Sequence, residues 1–282
     1  RYPVYASRGM VAASSPQASA AGLQILRSGG NAVDAAVAAA ATLTVTEPTA
    51  NGIGGDAFAL VWIEKDRRLY GLNASGRAPR AISADSVLSR DPPGGRMPAL
   101  GWLPVLVPGI PGAWASLTRR FGRLSLGQIL EPAAEYAETG YPAGPVLAEA
   151  WKRSFDRYSR ECPGPEFSEW FRTFAPGGHA PRPGDIVRLP DHARTLRSLG
   201  TSDCESFYRG ELAERIARDS EEFGGFLRME DLAAYEIEWV DPISVEYRGY
   251  RVCEIPPNGQ GIVALMARSE EHTSELQSRQ VI

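Results

Sequence analysis

The spacing of apolar and polar residues predicts two successive helices near the N-terminus. Ser14-Ser15-Pro16 supplies a capping residue and a proline for a first helical turn, and apolar residues then recur at helical spacing up to Gly29-Gly30. Asn31 caps a second helix, over residues 32 to about 43, that is almost entirely alanine, valine and leucine. A helix that is apolar on every face has to be enclosed by other elements on most of its sides.

A glycine-rich turn and a strand follow the second helix. Glu47-Pro48 cannot continue a helix, and Gly52, Gly54 and Gly55 permit backbone conformations that are closed to other residues. The uninterrupted apolar run over residues 57–63 then predicts a strand that is buried on both faces. This succession of buried helix, tight turn and buried strand is typical of the wall of a site.

A second strand pairs with this one. The polar residues 65–68 form a turn, and residues 69–73 form the returning strand of an antiparallel hairpin. The hairpin leads directly into Ala74-Ser75-Gly76-Arg77-Ala78-Pro79, so it presents Arg77 at its end.

The remainder of the chain predicts further helices joined by turns, without an internal repeat. Helices are expected after the turn at 107–112, after Leu124-Ser125, over 210–223 and briefly at 230–232; loops are expected over 90–96, irregular helices and loops over 141–190, one strand over 245–254 and the start of a helix over 261–267.

Composition and charge restrict the class of protein. The chain has 282 residues and is 43% hydrophobic, which is enough for one large or two small globular domains. The net charge is −4, and no basic cluster extends beyond Arg119-Arg120, which argues against a nucleic-acid partner. A small molecule or a peptide is the expected substrate.

The apolar runs predict neither a membrane span nor an export signal. No segment reaches the roughly 18 apolar residues that a span needs, and residues 1–5 lack the apolar core of a signal peptide. The sequence therefore predicts a cytoplasmic protein, or a periplasmic or secreted one from which a signal has been removed.

The residue types that carry most enzyme chemistry are not arranged for it here. Three cysteines and three histidines lie far apart, at spacings that favour neither a disulfide framework nor a metal site, so we expect no metal and no cofactor. No serine lies in a Gly-x-Ser-x-Gly elbow, and no Ser/His/Asp or Cys/His set can be assembled. No catalytic residue is predicted within the chain.

Arg77 is the candidate binding residue. A guanidinium on a segment of small residues can form a bidentate pair with a substrate carboxylate, although the residues alone favour a structural ion pair or simple exposure. Gly52, Gly54, Gly55 and Asp56 are expected to form the wall of the site rather than a phosphate cradle, because the glycines precede a strand and not a helix. Asp56 is alternatively a capping or turn residue.

Several motifs resemble, in the same order, the start of the large subunit of the γ-glutamyltranspeptidase family. The resemblance covers about residues 8–267, and the order of the motifs makes it specific. The motifs are Gly9-Met10-Val11-Ala12, Gly29-Gly30-Asn31-Ala32-Val33-Asp34-Ala35-Ala36, Thr46-Glu47-Pro48, Gly52-Ile53-Gly54-Gly55, Phe58, Pro108-Gly109-Ile110-Pro111-Gly112, Phe207-Tyr208-Arg209-Gly210, Glu230-Asp231-Leu232-Ala233-Ala234-Tyr235, Pro242-Ile243 and Tyr247-Arg248-Gly249-Tyr250.

The resemblance implies an α/β fold of the N-terminal-nucleophile hydrolase type, with four αββα layers. In this family a precursor cuts itself, and the freed N-terminal threonine of the small subunit attacks a γ-glutamyl amide such as glutathione, with its own α-amine as the base. Water, an amino acid or a peptide then accepts the γ-glutamyl group. The nucleophile belongs to the small subunit, so we expect the fold of this chain to be incomplete without that subunit and the chain alone to be inactive.

The family's carboxylate-binding arginine has a displaced counterpart here. Counting back from Ala78-Pro79, the family position falls on Ser75, and Arg77 lies two residues later, so both residues are candidates for substrate binding. This departure resembles a divergent bacterial branch. It keeps a related amide acylase, of the cephalosporin acylase type, and a non-catalytic binding module open as alternatives.

The last residues change abruptly in composition. Residues 268–282 interrupt the apolar start of a helix with a polar stretch that is similar to the in-frame translation of a sequencing-library adapter. We therefore expect residues 1–267 to be part of a large subunit and residues 268–282 to be a non-native tail, with a genuine polar tail as the alternative.

Overall fold

A computed structural model describes residues 3–90 and 92–269, and most of the predicted tail, residues 270–282, lies outside them. None of the helices in the described part combines the length and the apolar character that crossing a membrane requires. The helices are α1 (Pro16–Arg27), α2 (Ala32–Thr46), α3 (Ala84–Leu88), α4 (Ile110–Phe121), α5 (Leu126–Thr139), α6 (Pro145–Glu161), α7 (Ser168–Phe174), α8 (Pro190–Thr201), α9 (Glu205–Arg209), α10 (Glu211–Glu222) and α11 (Met229–Ala233), and residues 261–269 are also helical; the strands are β1 (Ala57–Ile63), β2 (Arg68–Ala74), β3 (Tyr141–Pro142), β4 (Ile186–Val187), β5 (Glu238–Val240), β6 (Ile243–Tyr247) and β7 (Tyr250–Glu254).

The chain divides into two compact units. The first unit comprises the residues up to Gly55 together with Gly76–Tyr235, and it holds helices α1 to α11. The second unit comprises Asp56–Ser75 and the residues from Glu236 onward, and it holds the β1–β2 hairpin and strands β5 to β7. The chain therefore passes from one unit to the other directly after Gly55, after Ser75 and after Tyr235.

Helix α2 forms the centre of the first unit. It contacts α1, α4 and α5, and Ala38, Ala41 and Val45 have no exposed surface. Its buried threonine hydroxyls donate to carbonyls of the preceding helical turn, as Thr42 Oγ1 does to Ala38 O at 2.8 Å, so their burial leaves no donor without an acceptor. The prediction of an apolar helix enclosed on most sides is confirmed, although the helix continues three residues beyond the expected end.

The start of α2 is tied to the end of α4. Asn31 Oδ1 accepts hydrogen bonds from the backbone N–H groups of Val33 and Asp34, and Asn31 Nδ2 donates to Phe121 O at 2.5 Å. The fully buried Asp34 carboxylate accepts from Asn31 N at 2.8 Å and from Arg123 N at 3.0 Å. The Asn-x-x-Asp spacing is thus a capping box that also fixes a neighbouring helix.

The middle of the chain is more regular than its sequence predicts. Residues 145–161 form the 17-residue helix α6, where irregular structure was expected over 141–190. The aromatic side chains of α6 pack edge-on against those of α7, for example Tyr158 against Trp170 with ring centroids 4.8 Å apart. Such pairs stabilise a helix from the side, which the apolar periodicity along α6 does not reveal.

The second unit is built from antiparallel strands. The predicted antiparallel hairpin β1–β2 is present, although Arg68, which was expected in the turn, already pairs with Ile63, and β5 pairs with the other edge of β2. The predicted single strand over 245–254 is wrong, because it folds into the separate hairpin β6–β7. Its two-residue turn, Arg248-Gly249, has positive φ at both positions, the geometry that reverses a twisted strand pair most tightly.

Strand β1 is not buried on both faces, which corrects the prediction. Exposure alternates along it, and Phe58, Leu60 and Trp62 are 47%, 41% and 51% exposed. The residues between them, such as Ala59 and Val61, are half-buried. An apolar side chain on either face gives the same pattern in the sequence, so only the tertiary structure shows that one face of this strand is uncovered within the described chain.

Candidate functional site

The predicted site residues belong to different units. Gly52, Gly54, Gly55 and Arg77 belong to the first unit, and Asp56 and Ser75 to the second. Residues 51–56 form a turn after α2, and Asp56 is exposed and directly precedes β1.

Within the first unit, residues 107–110 connect the glycine-rich turn to the Arg77 segment. The carbonyl oxygen of Gly55 accepts hydrogen bonds from Gly109 N at 3.0 Å and Ile110 N at 3.1 Å. The carbonyl oxygen of Arg77 accepts from Val107 N at 3.0 Å. Residues 107–110, which lead into the first residue of α4, therefore bind the backbone both of the glycine-rich turn and of the Arg77 segment.

The glycines of the turn have ordinary backbone conformations. None of Gly52, Gly54 and Gly55 has a positive φ, and a Cβ added at Gly52 or Gly54 would meet nothing within 4 Å. Gly55 is closer to its surroundings, since a Cβ there would lie 3.3 Å from Ile110 Cδ1. The left-handed conformations that glycine permits are therefore not used at these three positions, and two of them leave open space beside the backbone.

Gly76, which directly precedes Arg77, has no room for a side chain. A Cβ at Gly76 would overlap the carbonyl oxygen of Val107, so the two backbone segments approach each other as closely as a glycine permits. The sequence shows only that Gly76 precedes Arg77 after β2. The position of the Val107 carbonyl group explains why this residue is a glycine. The exposed Arg77 side chain follows this contact directly.

Within the second unit, Ser75 lies in a small polar network. Ser75 Oγ accepts a hydrogen bond from Asn258 Nδ2 at 2.8 Å, and Ser75 N donates to Asn73 Oδ1 at 2.9 Å. The two asparagines also contact each other, with Asn73 Nδ2 donating to Asn258 Oδ1 at 3.2 Å. The sequence analysis did not identify either asparagine. The features that could have indicated them are the position of Asn73 at the end of β2 and that of Asn258 in the Pro-Pro-Asn-Gly turn.

Two further residues that sequence reasoning did not assign to the site support it from the first unit. The Tyr208 hydroxyl donates to Pro108 O at 2.8 Å and accepts from Gly112 N at 2.9 Å, and burial raises the pKa of this hydroxyl above its ordinary value. The Asp231 carboxylate, 8% exposed, accepts from Arg80 N and Arg228 N, each at 3.0 Å. Both side chains bind backbone groups.

The described residues include a candidate carboxylate-binding side chain and no cluster of metal ligands. No set of three or more histidine, cysteine or acidic side chains in residues 3–90 and 92–269 is placed to hold a metal ion. Arg77 is exposed, and an arginine guanidinium has the geometry to bind a carboxylate through two parallel hydrogen bonds. This arrangement can hold an anionic substrate.

Comparison with known proteins assigns the chain to a family. The model of the gamma-glutamyltranspeptidase family matches residues 18–278. The glutathione hydrolase-like YwrD proenzyme of Bacillus subtilis is 33% identical over 264 residues, which are 93% of this chain and 48% of that protein. This chain belongs to the gamma-glutamyltranspeptidase family.

Solved structures agree with this assignment. The cephalosporin acylase of Bacillus halodurans superposes with a TM-score of 0.86 at 52% identity, covering 94% of this chain and 50% of that one. The γ-glutamyltranspeptidase of Helicobacter pylori superposes with a TM-score of 0.84 at 30% identity, covering 92% and 73%. These neighbours are N-terminal-nucleophile hydrolases, so the predicted fold class is confirmed. The chain spans about half the length of the Bacillus subtilis protein and of the Bacillus halodurans acylase.

Proposed function

We propose that this chain is the large-subunit part of an enzyme that transfers or hydrolyses γ-glutamyl amides such as glutathione. The observation that carries the proposal is the segment 107–110, whose backbone binds both the glycine-rich turn at Gly55 and the carboxylate-binding candidate at Arg77. The nucleophile is the N-terminal threonine of a small subunit, in the half of the longer relatives that this chain does not match. Its α-amine acts as the base, and water, an amino acid or a peptide accepts the γ-glutamyl group.

In this proposal Arg77 binds the α-carboxylate of the donor. Its side chain is exposed, and its backbone is fixed by the hydrogen bond from Val107 N. A fixed backbone reduces the entropy lost when a long side chain is ordered on its ligand. Ser75, at the position where the family has its arginine, is the second candidate for substrate binding.

A related amide acylase is the second candidate. It is favoured by the 52% identity to the structure described as a cephalosporin acylase, which exceeds the 30% to the Helicobacter pylori γ-glutamyltranspeptidase. The serine at position 75 favours it as well, because the arginine that the family has there is two residues away.

Three p-nitroanilides assayed with the full-length protein separate the two candidates. The γ-glutamyl and glutaryl anilides differ only in the α-amino group, and the pentanoyl anilide has a methyl group in place of the carboxyl group. Preference for the γ-glutamyl anilide supports the proposed function, whereas equal or faster turnover of the glutaryl anilide supports the acylase. Turnover by the isolated 282-residue chain would contradict the proposal that the nucleophile lies in another part of the protein.

The variant Arg77→Ala tests the binding role. We expect kcat/KM to fall about 10- to 150-fold for the two carboxylate-bearing anilides, because the loss of a charged hydrogen-bonding partner costs about 1.5–3 kcal/mol. The pentanoyl anilide should be unaffected. Arg67→Ala, at an exposed arginine in the β1–β2 turn, is the control and should change none of the three values. An equal loss for all three anilides in Arg77→Ala would contradict carboxylate binding.

The small subunit is the proposed partner of the uncovered face of β1. Phe58, Leu60 and Trp62 are half exposed there, and the unmatched half of the relatives provides enough chain to cover them. A cytoplasmic location, the absence of a cofactor and the assignment of residues 268–282 to a non-native tail remain predictions of the sequence.

A further inference from the structure

The Arg77 segment is held at both ends within the first unit. At one end, Val107 N donates to Arg77 O, and Gly76 lies against the Val107 carbonyl. At the other end, three residues further on, Arg80 N donates to Asp231 Oδ1 at 3.0 Å. Between these two points Arg77 and Ala78 are exposed. The segment is therefore a short bridge whose backbone is fixed on both sides of the binding residue.

Asp231 uses both of its carboxylate oxygens. Oδ1 accepts a hydrogen bond from Arg80 N, and Oδ2 accepts one from Arg228 N. Arg228 is the N-cap residue of α11, so the second hydrogen bond belongs to the cap of this helix. The side chain is more than nine-tenths buried, so water does not readily replace either partner. An asparagine at this position offers one acceptor oxygen and turns an N–H donor towards the second backbone N–H, and it can therefore satisfy only one of the two.

Tyr208 fixes the segment to which Arg77 is bound. Its hydroxyl contacts Pro108 O and Gly112 N, on the two sides of residues 109–111, and its ring stacks on that of Tyr235 with centroids 5.4 Å apart. Tyr208 and Asp231 lie in the Phe-Tyr-Arg-Gly and Glu-Asp-Leu-Ala-Ala-Tyr motifs, which the proposed chemistry does not use. Their contacts converge on the two backbone segments that hold Arg77.

We propose that Asp231, with Tyr208, is a positioning residue that fixes the backbone on both sides of Arg77 and so sets the affinity for the carboxylate of the substrate. Neither side chain touches the substrate. This inference rests on the proposed function, since it assigns a role in substrate binding. Fixed geometry at a binding group lowers KM for the substrates that use this group and leaves the chemical step unchanged.

The test is Asp231→Asn in the full-length enzyme, assayed with the γ-glutamyl and pentanoyl anilides. We expect KM for the γ-glutamyl anilide to rise about tenfold with kcat within about twofold, and KM for the pentanoyl anilide to stay unchanged. Asp34→Asn is the matched control, because Asp34 is also a buried carboxylate that accepts hydrogen bonds from two backbone N–H groups, those of Asn31 and Arg123. It should lower the melting temperature and leave both KM values unchanged.

Hydrogen exchange tests the positioning role without an activity assay, so its result does not depend on the proposed function. Hydrogen exchange at the Arg80 or the Arg228 amide, whichever loses its acceptor, should be about tenfold faster or more in Asp231→Asn, and exchange at both amides should be unchanged in Asp34→Asn. Equal exchange in Asp231→Asn and wild type overturns the positioning role, as does a KM that rises equally for both anilides. A wild-type enzyme that turns over neither anilide refutes the proposed function, and the exchange result then decides whether Asp231 holds the segment.

A second variant covers the case in which Asp231→Asn does not fold. Tyr208→Phe keeps the ring that stacks on Tyr235 and removes only the two hydrogen bonds to residues 108 and 112. It should raise KM for the γ-glutamyl anilide several-fold and leave that for the pentanoyl anilide unchanged. The absence of any KM change in this variant would remove Tyr208 from the proposal.

Discussion

At the scale of single residues, buried polar side chains in this chain are used to hold backbone segments. Asp34 and Asp231 each accept hydrogen bonds from two backbone N–H groups, and the Tyr208 hydroxyl both donates to and accepts from backbone. A carboxylate can satisfy two orphaned N–H groups at once, whereas each group left alone in the interior costs about 1–3 kcal/mol. Such residues therefore fix segments that have no regular secondary structure, including the one that carries Arg77.

Gly76 provides a test at this scale. In Gly76→Ala the added methyl group would overlap the Val107 carbonyl oxygen, so we expect the free energy of unfolding to fall by about 1–3 kcal/mol. Denaturant unfolding of the full-length protein measures the change. Gly54→Ala is the control, because its methyl group points into open space and its φ is ordinary, and it should change the stability by less than about 1 kcal/mol. Equal losses in the two variants would contradict the close approach at Gly76.

At the scale of elements, α2 and β1 show that the same kind of sequence can lead to different burial. Both are nearly continuous apolar runs, yet α2 is enclosed by α1, α4 and α5, while one face of β1 is half exposed in the described chain. A helix of small residues lets neighbouring helices approach on all sides. A strand has two faces, and each is buried only if a separate layer covers it.

Two leucines of the β1–β2 hairpin test the proposed cover. Leu60 is 41% exposed on β1, whereas Leu72 on β2 has no exposed surface. In the isolated 282-residue chain we expect Leu72→Ala to cost about 2–5 kcal/mol of unfolding free energy and Leu60→Ala less than about 1 kcal/mol. In the full-length enzyme both should be costly. A harmless Leu60→Ala in the full-length enzyme would show that nothing covers this face.

At the scale of the whole molecule, buried groups that are neutral at pH 7 limit the stability in alkali. Burial raises the pKa of Cys204 to about 12, from an ordinary value of 9.0. Burial also raises the pKa of Tyr141 and of Tyr208 above the ordinary 10.0. All three groups belong to the first unit, and the Tyr141 hydroxyl donates to Val45 O at 2.7 Å.

These pKa shifts determine whether the free energy of unfolding rises or falls with pH. Above about pH 9 the unfolded chain loses the Cys204 proton, and above about pH 10 the two tyrosine protons, while the folded chain keeps them, so the free energy of unfolding falls as pH rises. Each group contributes a slope of about 1.4 kcal/mol per pH unit. We would measure the free energy of unfolding in urea under reducing conditions from pH 8 to 11. Above pH 10 the decrease of this free energy with pH should be less steep in Tyr208→Phe than in the wild type, by the contribution of one group. Tyr250→Phe, at an exposed tyrosine, should leave the slope unchanged, and no slope difference between these variants would refute burial of the Tyr208 hydroxyl.

The sequence by itself determined the features that depend on neighbouring residues. The caps at Ser15 and Asn31, the apolar periodicity of the helices and the polar turn between β1 and β2 were all predicted, because capping, periodicity and turn formation act over a few residues. The ordered motifs also identified the family, which the comparisons confirmed. Arg77 and Ser75 as binding residues remain predictions.

Only the tertiary structure decided which backbone segments meet around Arg77. Asp231 lies 151 residues from Arg80, and Tyr208 lies 100 residues from Pro108, so no local pattern links them. The uncovered face of β1, the close approach at Gly76 and the division of residues 245–254 into a hairpin likewise depend on what lies across space. The physical reason is that a buried side chain or a backbone N–H group can be satisfied by any segment of suitable shape. Only the fold determines which distant segment contacts it.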